Sequence, residues 1–308
     1  MNDPYRAWRI RTKMANYVEV TFPGLGIHLN VNPIAFTIGS IEVYWYGILI
    51  AVALVLSVVL AVKHSKSLNF PEGLVYDTIL MIIPCAIVGA RLYFVACNWD
   101  YYGQDLKRIF DVRSGGLAIY GGVIMVFLGG IIMCRIRKIP FRELADYCVV
   151  YLPLGQAIGR WGNFFNQEAF GTTTNLPWGM TSSTVEIYLK NYCPTLVPTM
   201  PVHPTFLYES IADLIIFFIL LYIRKHSKIS FETSCAYFAL YGTARFFIEG
   251  LRTDSLYIGS TGIRTSQLLS LIFVVAALIY IAVARYKRFE KRSFPAKLYE
   301  TEGEGKNK

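Results

Sequence analysis

Six long apolar stretches constrain this chain more than any other feature of its sequence. Crossing the roughly 30 Å hydrocarbon core of a bilayer takes about 20 helical residues. Apolar stretches of that length run over residues 43–62, 75–97, 117–134, 205–223, 234–251 and 265–284. The chain is 54% hydrophobic and only 17% charged, whereas soluble domains carry about 25% charged residues. A soluble globule and an intrinsically disordered chain are therefore both excluded.

A further apolar stretch, residues 144–159, is short and contains Pro153 and Gly155, so its hydropathy alone does not decide whether it crosses. The Lys and Arg residues decide it. They cluster after the apolar stretches that end at residues 62, 134, 223 and 284. All four clusters fall on one side only if the short stretch also crosses, as the positive-inside rule requires. The sequence therefore predicts an all-α integral membrane protein with seven transmembrane helices, its N-terminus outside and its C-terminus cytoplasmic.

We expect a single transmembrane domain over residues 1–308, with three segments outside the bilayer. These are an N-terminal extracytoplasmic segment (residues 1–40), a small extracytoplasmic cap (residues 160–203) rich in Gly, Asn, Thr and Pro, and a basic cytoplasmic tail (residues 285–308). Four basic residues oppose the positive-inside rule for an exported N-terminus, and a start at Met14 would remove them: Arg6, Arg9, Arg11 and Lys13.

Neither the charge nor the cysteines indicate a nucleic-acid or metal partner. The net charge is +9, but the basic residues lie in short clusters between apolar stretches, whereas a nucleic-acid binder gathers them on one face among aromatic side chains. The six cysteines show no metal-ligand spacing such as CxxC, so we expect no metal and no cofactor. Cys97 and Cys193 could both reach the outer side, but a disulfide between them is not the favoured interpretation.

The polar residues inside the apolar stretches gather toward one membrane face. An Arg or Asp at the centre of a transmembrane helix costs about 2.5–3.5 kcal/mol, so each needs a partner or a role. One helical face near the outer end of residues 234–251 carries four polar residues at spacings of about one turn: Tyr241, Arg245, Glu249 and Arg252. Four more polar residues lie at the outer ends of other stretches: Tyr46, Tyr120, Arg160 and His203. Glu209 and Asp213 extend this group of polar residues from the outer end of residues 205–223 toward the centre of the membrane.

Arginines at the outer leaflet suit an anionic phosphate ester, because the guanidinium group stays charged and its paired N–H donors match phosphate geometry. At that depth the natural ligand is a phospholipid head group. A solute transporter or lipid flippase is the alternative function, although charges near the midplane and two related halves are more typical of transporters. The structural alternative is that Arg245 and Glu249 only pair within their helix while Arg160 and Arg252 extend to the head groups.

Five segments of the chain resemble one family of enzymes. Residues 159–171, with the sequence GRWGNFFNQEAFG, resemble the hallmark segment of bacterial prolipoprotein diacylglyceryl transferases. The other four segments follow in family order: YWYG at residues 44–47, GGLAIYGG at 115–122, HPTFLYE at 203–209 and YGTAR at 241–245 with Glu249. The resemblance covers nearly the whole chain.

The resemblance implies an activity and its partners. The diacylglyceryl group of phosphatidylglycerol would move to the thiol of the lipobox cysteine in a preprolipoprotein, which releases glycerol phosphate. The enzyme would be a multi-pass protein of the bacterial plasma membrane, with its active site toward the outer leaflet. It would act as a monomer without a cofactor. The substrate supplies the nucleophile, which agrees with the lack of a Ser-His-Asp set in the sequence.

The resemblance also assigns roles to individual residues. Arg160 and Arg245 would grip the phosphate and stabilise the charge that grows on it. Glu249 would orient an arginine. The remaining residues match positions for binding the head group or shaping the site: Tyr46, Asn163, Glu168, Gly171, His203 and Tyr241.

Tyr120 departs from the family pattern, because many members have histidine at this position as a proposed general base. A phenol is a poor base at neutral pH unless nearby arginines acidify it. Tyr120 therefore positions the substrate, or the base is another group such as Glu168 or Glu249, or the arginines acidify the substrate thiol directly. We favour positioning for Tyr120. Members from Gram-positive bacteria often carry tyrosine here, so the departure does not weaken the resemblance.

Overall fold

The computed structural model of the chain describes residues 17–68, 70–111, 115–259 and 261–290. Most of these residues lie in helices: α1 (Trp45–Ser67), α2 (Glu72–Cys97), α3 (Trp99–Tyr102), α4 (Ile119–Arg137), α5 (Phe141–Cys148), α6 (Tyr151–Asn166), α7 (Ser183–Tyr192), α8 (Thr205–His226), α9 (Glu232–Leu251) and α10 (Thr265–Tyr286). The strands in these ranges are short: β1 (Val18–Phe22), β2 (Ile27–Val31), β3 (Ile34–Ile38), β4 (Ile41–Tyr44) and β5 (Thr181–Ser182). The basic residues before Met14, Met14 itself and the tail after residue 290 lie outside the described residues.

Five of the described helices, α1, α2, α4, α8 and α10, are long and apolar enough to cross a membrane. They correspond to five of the six long apolar stretches, as expected for an integral membrane protein. Several of them continue past the predicted ends, because basic residues such as Arg137 and Arg224 favour the last turn of a helix. The helix α9 covers the remaining apolar stretch, residues 234–251, and carries the polar face that the sequence predicts.

The predicted helix over residues 144–159 is wrong in its bounds, because this part of the chain forms two helices. α5 ends at Cys148, and α6 begins at Tyr151 and continues to Asn166. Pro153 explains the break, since a proline fits the first turn of a helix but removes a hydrogen bond from its interior. The residues from 160 to 166 therefore belong to a helix and not to the cap loop.

Two compact units make up the chain. Of the described residues, those within 17–57, 149–227 and 232–287 belong to the first unit, and those within 58–148, 228–231 and 288–290 belong to the second. The helix α1 contributes its first part to one unit and its second part to the other. The single transmembrane domain stays a prediction.

The all-α prediction is wrong for the segment that precedes α1. In the first unit, β1 pairs antiparallel with β2 on one side and with β5 on the other, so that Val20 faces Leu29 and Ser182. β3 and β4 form a separate antiparallel hairpin. Residues 18–22 alternate apolar and polar side chains, which suits a strand with one buried face.

The sheet, α7 and the adjoining ends of α6 and α8 enclose a small hydrophobic core. Its buried side chains come from distant parts of the chain: Val20, Val31, Phe164, Phe170, Met180, Val185, Leu189, Val202 and Phe206. From here on the cap means residues 18–31 and 167–203, because side chains from both segments form this core. This definition adds the N-terminal strands to the predicted cap and removes residues 160–166, which belong to α6. In the rest of the first unit, α6 packs against α8, α8 against α9, and α9 against α10.

In the second unit, α2 and α4 approach each other closely at two glycines. A Cβ atom added to Gly121 would lie 2.2 Å from the carbonyl oxygen of Gly89, and one added to Gly89 would lie 2.4 Å from the carbonyl oxygen of Gly121. No side chain fits at such distances. Gly121 of the GGLAIYGG segment therefore serves helix packing, as small residues do in membrane helix pairs.

Gly121→Ala is expected to destabilise the protein by about 1–3 kcal/mol or more, because the added methyl group forces the two backbones apart. Thermal unfolding in one detergent measures the effect. Gly155→Ala in α6 is the matched control, since nothing lies within 4 Å of a Cβ atom at that position. A loss of stability in the control that equals the loss in Gly121→Ala would contradict the packing argument.

The buried side chain of Arg91 organises the loop between α3 and α4 in the second unit. A guanidinium group has five N–H donors in a fixed planar arrangement. Here Nε, Nη1 and Nη2 donate at 2.6–3.0 Å to five backbone carbonyl oxygens, those of Arg108, Ile109, Asp111, Gly115 and Gly116. The guanidinium carbon also lies 5.0 Å from the ring centre of Tyr102. Arg91 is therefore a structural residue of the loop that leads to Tyr120.

Candidate active site

Glu209 joins three helices of the first unit. This residue of α8 is only 2% exposed. Its carboxylate accepts a hydrogen bond from Arg160 Nη2 of α6, a second at 2.9 Å from Arg245 Nη1 of α9, and a third at 3.2 Å from the Tyr241 hydroxyl. One buried carboxylate thus holds both of the arginines that the sequence predicts. We call Arg160, Glu209, Tyr241, Arg245 and Glu249 the arginine–glutamate cluster.

Arg245 lies between two carboxylates. Its Nη1 donates to Glu209, and its Nη2 lies 2.6 Å from Glu249 Oε2, one turn further along α9. This contact allows Glu249 to orient Arg245, and that role stays a prediction. The structural alternative, a pair confined to α9, is incomplete because Arg245 also binds Glu209 on another helix. Two fixed contacts on one planar group determine the direction of its remaining N–H bonds.

A chain of amide and carboxylate groups continues from Arg160 toward the end of α6. Arg160 Nη1 donates to Asn163 Oδ1 at 3.3 Å, and Asn163 Nδ2 donates to Glu168 Oε1 at 3.1 Å. Asn166 Nδ2 donates to the same oxygen at 3.1 Å. Gln167 and Ala169, on either side of Glu168, have φ angles of 51° and 58°, so the chain reverses here and Glu168 points back to the helix end. The structure therefore brings Arg160, Asn163 and Glu168 together.

Tyr46 packs against the same helix. A Cβ atom added to Gly162 would lie 2.3 Å from Cδ2 of the Tyr46 ring, so only glycine allows this contact. The neighbouring Trp45 ring stacks on Phe165 with a centroid distance of 5.2 Å. These contacts place the start of α1 beside the part of α6 that lies two to five residues past Arg160.

Gly171 and His203 shape the junction between the cap and α8. Gly171 N donates to the His203 carbonyl oxygen at 2.9 Å, and a Cβ atom at Gly171 would lie 2.7 Å from His203 Cβ. Trp178 Nε1 donates to the Tyr208 hydroxyl at 2.7 Å, and this hydroxyl lies 3.1 Å from His203 Nδ1. Burial lowers the pKa of His203 below its usual range, which favours a neutral ring. Both residues contribute to the architecture of the junction.

Arg252 follows the last residue of α9, and its backbone N–H donates to the Glu249 carbonyl oxygen at 3.2 Å, but its side chain binds outside the arginine–glutamate cluster. Its guanidinium forms a bidentate pair with Asp254, with N···O distances of 2.9 and 2.8 Å.

Tyr120 is the second residue of α4 and therefore belongs to the second unit, where its side chain is 52% exposed. Its role stays a prediction.

The sequence-predicted set of site residues omitted Glu209, although this residue ends the HPTFLYE segment. The available signal was a carboxylate inside an apolar helix, which is costly without a partner. Asp213, one turn further along α8, is fully buried, and among the described residues neither of its carboxylate oxygens has a hydrogen-bond partner. It belongs to the same polar face of α8.

The geometry supports binding of an anionic ester. Two largely buried guanidinium groups, with side chains 22% and 16% exposed, are fixed by carboxylates and keep N–H groups free of these contacts. Such preorganised donors match a phosphate group. Within the described ranges, no group of three or more His, Cys, Asp and Glu side chains is arranged to hold a metal ion. The six cysteines, all within these ranges, are free thiols.

Comparisons with known proteins agree with this geometry. The family model for prolipoprotein diacylglyceryl transferase matches residues 33–283, which include every residue of the cluster. A protein of Finegoldia magna named phosphatidylglycerol–prolipoprotein diacylglyceryl transferase is 45% identical over 247 residues, or 80% of this chain and 93% of that protein. Proteins of the same name from Clostridioides difficile and Clostridium novyi are 44% identical over 246 residues and 40% identical over 257 residues. These matches cover 80% and 83% of this chain, and 92% and 97% of the relatives. The chain belongs to the prolipoprotein diacylglyceryl transferase family.

Proposed function

We propose that this chain transfers the diacylglyceryl group of phosphatidylglycerol to the lipobox cysteine of preprolipoproteins, the first step of lipoprotein maturation. The observation that carries the proposal is the pair of guanidinium groups held by Glu209. The names of the relatives support both substrates.

The reaction is a displacement at a glyceryl carbon. The substrate thiol loses its proton, its sulfur attacks the carbon that carries the phosphate ester, the C–O bond breaks and glycerol phosphate leaves. A free thiol with a pKa of about 8.5 is mostly protonated at neutral pH, so a positive field that favours the thiolate helps. The N–H groups of Arg160 and Arg245 that Glu209 and Glu249 do not occupy supply this field locally and stabilise the negative charge that grows on the departing phosphate.

The arrangement of the carboxylates favours this arginine field over a glutamate base. Glu249 lies 2.6 Å from an Arg245 nitrogen, and Glu168 accepts hydrogen bonds from two asparagines. Both carboxylates are therefore already engaged with donors of the protein, whereas the two guanidinium groups keep N–H donors that can face the substrate. Asn163, Glu168 and Tyr46 then fix the orientation of Arg160, while Glu249 and Tyr241 fix that of Arg245 and Glu209.

Incubation of the purified protein with phosphatidylglycerol vesicles and a lipobox peptide tests the proposal. A peptide heavier by one diacylglyceryl group, together with released glycerol phosphate, is the expected result. Vesicles of phosphatidylcholine provide the control. Movement of lipid between leaflets without any covalent product would instead identify a lipid flippase and overturn the proposal.

Tyr120→Phe is expected to keep activity within about tenfold of the unmodified protein, because loss of a true general base costs roughly 10²–10⁴-fold. Initial rates of peptide lipidation measure the effect. Tyr120→Ala, which also removes the ring, is expected to lose more activity through a higher KM. A drop of a thousandfold in Tyr120→Phe with an unchanged KM would show that the hydroxyl takes part in proton transfer.

The proposed topology has seven transmembrane helices in a bacterial plasma membrane, with α6 and α9 added to the five apolar helices. Basic residues then mark the cytoplasmic ends of four helices: Lys66 in α1, Arg137 in α4, Arg224 in α8 and Arg285 in α10. The cap and the arginine–glutamate cluster lie toward the outer leaflet. We further propose that a monomer is sufficient, since the cluster is built from one chain.

The topology predicts that, in a background that carries Cys97→Ser and Cys193→Ser, a membrane-impermeant maleimide labels Lys190→Cys but not Lys225→Cys in intact cells. Both positions are exposed, and they lie on α7 of the cap and near the end of α8. Permeabilised cells provide the control, because both variants are then expected to react. Labelling of Lys225→Cys in intact cells would contradict the orientation.

A further inference from the structure

The hairpin of β3 and β4 has one apolar face and one polar face. In its antiparallel register Phe36 faces Val43, Thr37 faces Glu42, and Ile38 faces Ile41. Residues that face each other share a side of the sheet, and successive residues alternate between sides. One side therefore carries four apolar side chains, namely Phe36, Ile38, Ile41 and Val43. The other side carries Thr37 and Glu42.

The apolar face of this hairpin is uncovered. Phe36, Ile38 and Ile41 are 50%, 65% and 50% exposed. A soluble protein seldom leaves a contiguous patch of large apolar side chains in water without a binding role. The patch cannot be explained by the cap, whose hydrophobic core is built from other strands.

The position of the hairpin in the chain indicates what covers this face. β4 ends at Tyr44 and α1 begins at Trp45 without a linker, and Trp45 N donates to the Pro33 carbonyl oxygen at 2.9 Å. Both ends of the hairpin are thus tied to the first residue of a helix apolar enough to cross a membrane. The exposed side chains of this helix continue the apolar surface from its first turns, with Ile50, Val52 and Val55.

The junction also has the composition of a membrane boundary. Tyr44, Trp45 and Tyr46 follow one another there, and aromatic residues of this kind concentrate at the head-group level of a bilayer. The Tyr44 hydroxyl donates to Glu42 at 2.6 Å, which keeps these polar groups on the side opposite Phe36 and Ile38.

We propose that the β3–β4 hairpin is an interfacial anchor whose apolar face lies among the lipid acyl chains of the leaflet in which α1 begins. An amphipathic helix at an interface lies in its plane with the apolar side about 5–10 Å deep, and we expect the two-faced hairpin to lie in the same way. Tyr46, directly after the hairpin, packs on α6 at Gly162. The anchor therefore holds the Arg160 region of α6 at the depth of the lipid head groups.

Fluorescent labelling of adjacent residues on opposite faces tests this proposal. Ile38→Cys and Thr37→Cys are each labelled with an environment-sensitive nitrobenzoxadiazole dye, in a Cys97→Ser background because Cys97 is an exposed native thiol. The proteins are placed in vesicles of phosphatidylglycerol and phosphatidylcholine. At position 38 we expect emission at shorter wavelength and strong quenching by lipids spin-labelled near the head group. At position 37 we expect emission typical of water and quenching by iodide.

Ile41→Cys faces Ile38 across the hairpin and gives an independent second reading, with the same behaviour expected. Equal iodide quenching at positions 37, 38 and 41 would overturn the proposal. Protection of position 38 that appears only after a lipobox peptide or a second copy of the chain is added would also overturn it, because the face would then bind protein. These readouts do not use transferase activity, so their outcome is separate from that of the proposed function.

Discussion

Arg245→Ala is expected to reduce kcat/KM for peptide lipidation by at least about 10³-fold, because loss of one preorganised donor to transition-state charge alone costs 10²–10³-fold. This variant also leaves Glu209 and Glu249 with one cation fewer between them. The effect is expected mainly in kcat, since the charge on the phosphate grows as the C–O bond breaks. The lipidation assay with varied phosphatidylglycerol separates kcat from KM.

Arg245→Lys distinguishes the geometry of this group from its charge. Lysine keeps the positive charge, but one ammonium nitrogen cannot reproduce the planar fork that reaches Glu209 and Glu249 together. We expect the lysine variant to recover little of the lost activity. Arg137→Ala, which removes an arginine paired with Asp77 in the second unit, is the control and is expected to keep nearly full activity. Full activity in Arg245→Lys would show that charge alone is sufficient and would contradict the proposed phosphate grip.

Glu209→Gln is expected to lower both stability and activity. The carboxylate is 2% exposed and forms ion pairs with two guanidinium groups, and removal of one partner from a buried ion pair costs about 3–5 kcal/mol. A glutamine has nearly the same shape but turns an uncharged amide toward the two cations. The expected result is a lower Tm in detergent and lipidation reduced by at least about a hundredfold, a loss typical of misplaced catalytic groups.

A double-mutant cycle separates this shared role from independent contributions. Glu209→Gln and Arg245→Gln are expected to be non-additive in stability, because each single change removes the same contact and leaves its partner unpaired. Glu186→Gln on α7 of the cap is a matched glutamate control and is expected to change stability little. Additive effects of the two cluster variants would mean that Glu209 does not hold Arg245 in solution.

The long helices could be predicted from the sequence because a 20-residue apolar stretch has few alternatives in a bilayer. The contact between Arg245 and Glu249 was predictable for a similar reason, since residues four apart share a helix face. The contacts of Glu209 with Arg160 and Arg245 could not be predicted in this way, because they depend on how α6, α8 and α9 pack. The periodicity of one helix does not show which other helices pack against it. The five family segments nevertheless included Glu209, in the last position of HPTFLYE.

The strands before α1 and the break between α5 and α6 were missed for different reasons. β1 and β2 are short, and β5, the second partner of β1, lies far away in the chain, so the local pattern alone did not distinguish these strands from a loop. The break at residues 149–150 lies inside an apolar stretch, where hydropathy does not change between one helix and the next. Pro153 lies in the first turn of α6, a position that suits proline, but in the sequence it is interpreted as an interruption within one helix.

The composition of the cap core has a consequence for the biosynthesis of the enzyme. Val20 and Val202 belong to this core, and every helix from α1 to α7 lies between them in the chain. At a synthesis rate of about 5–20 residues per second, the strands β1 and β2 wait on the order of ten seconds for the residues that bury them. The core joins the ends of α6 and α8, which carry Arg160 and Glu209. A nascent chain is therefore expected to acquire its arginine–glutamate cluster late, only after most of its helices have been made.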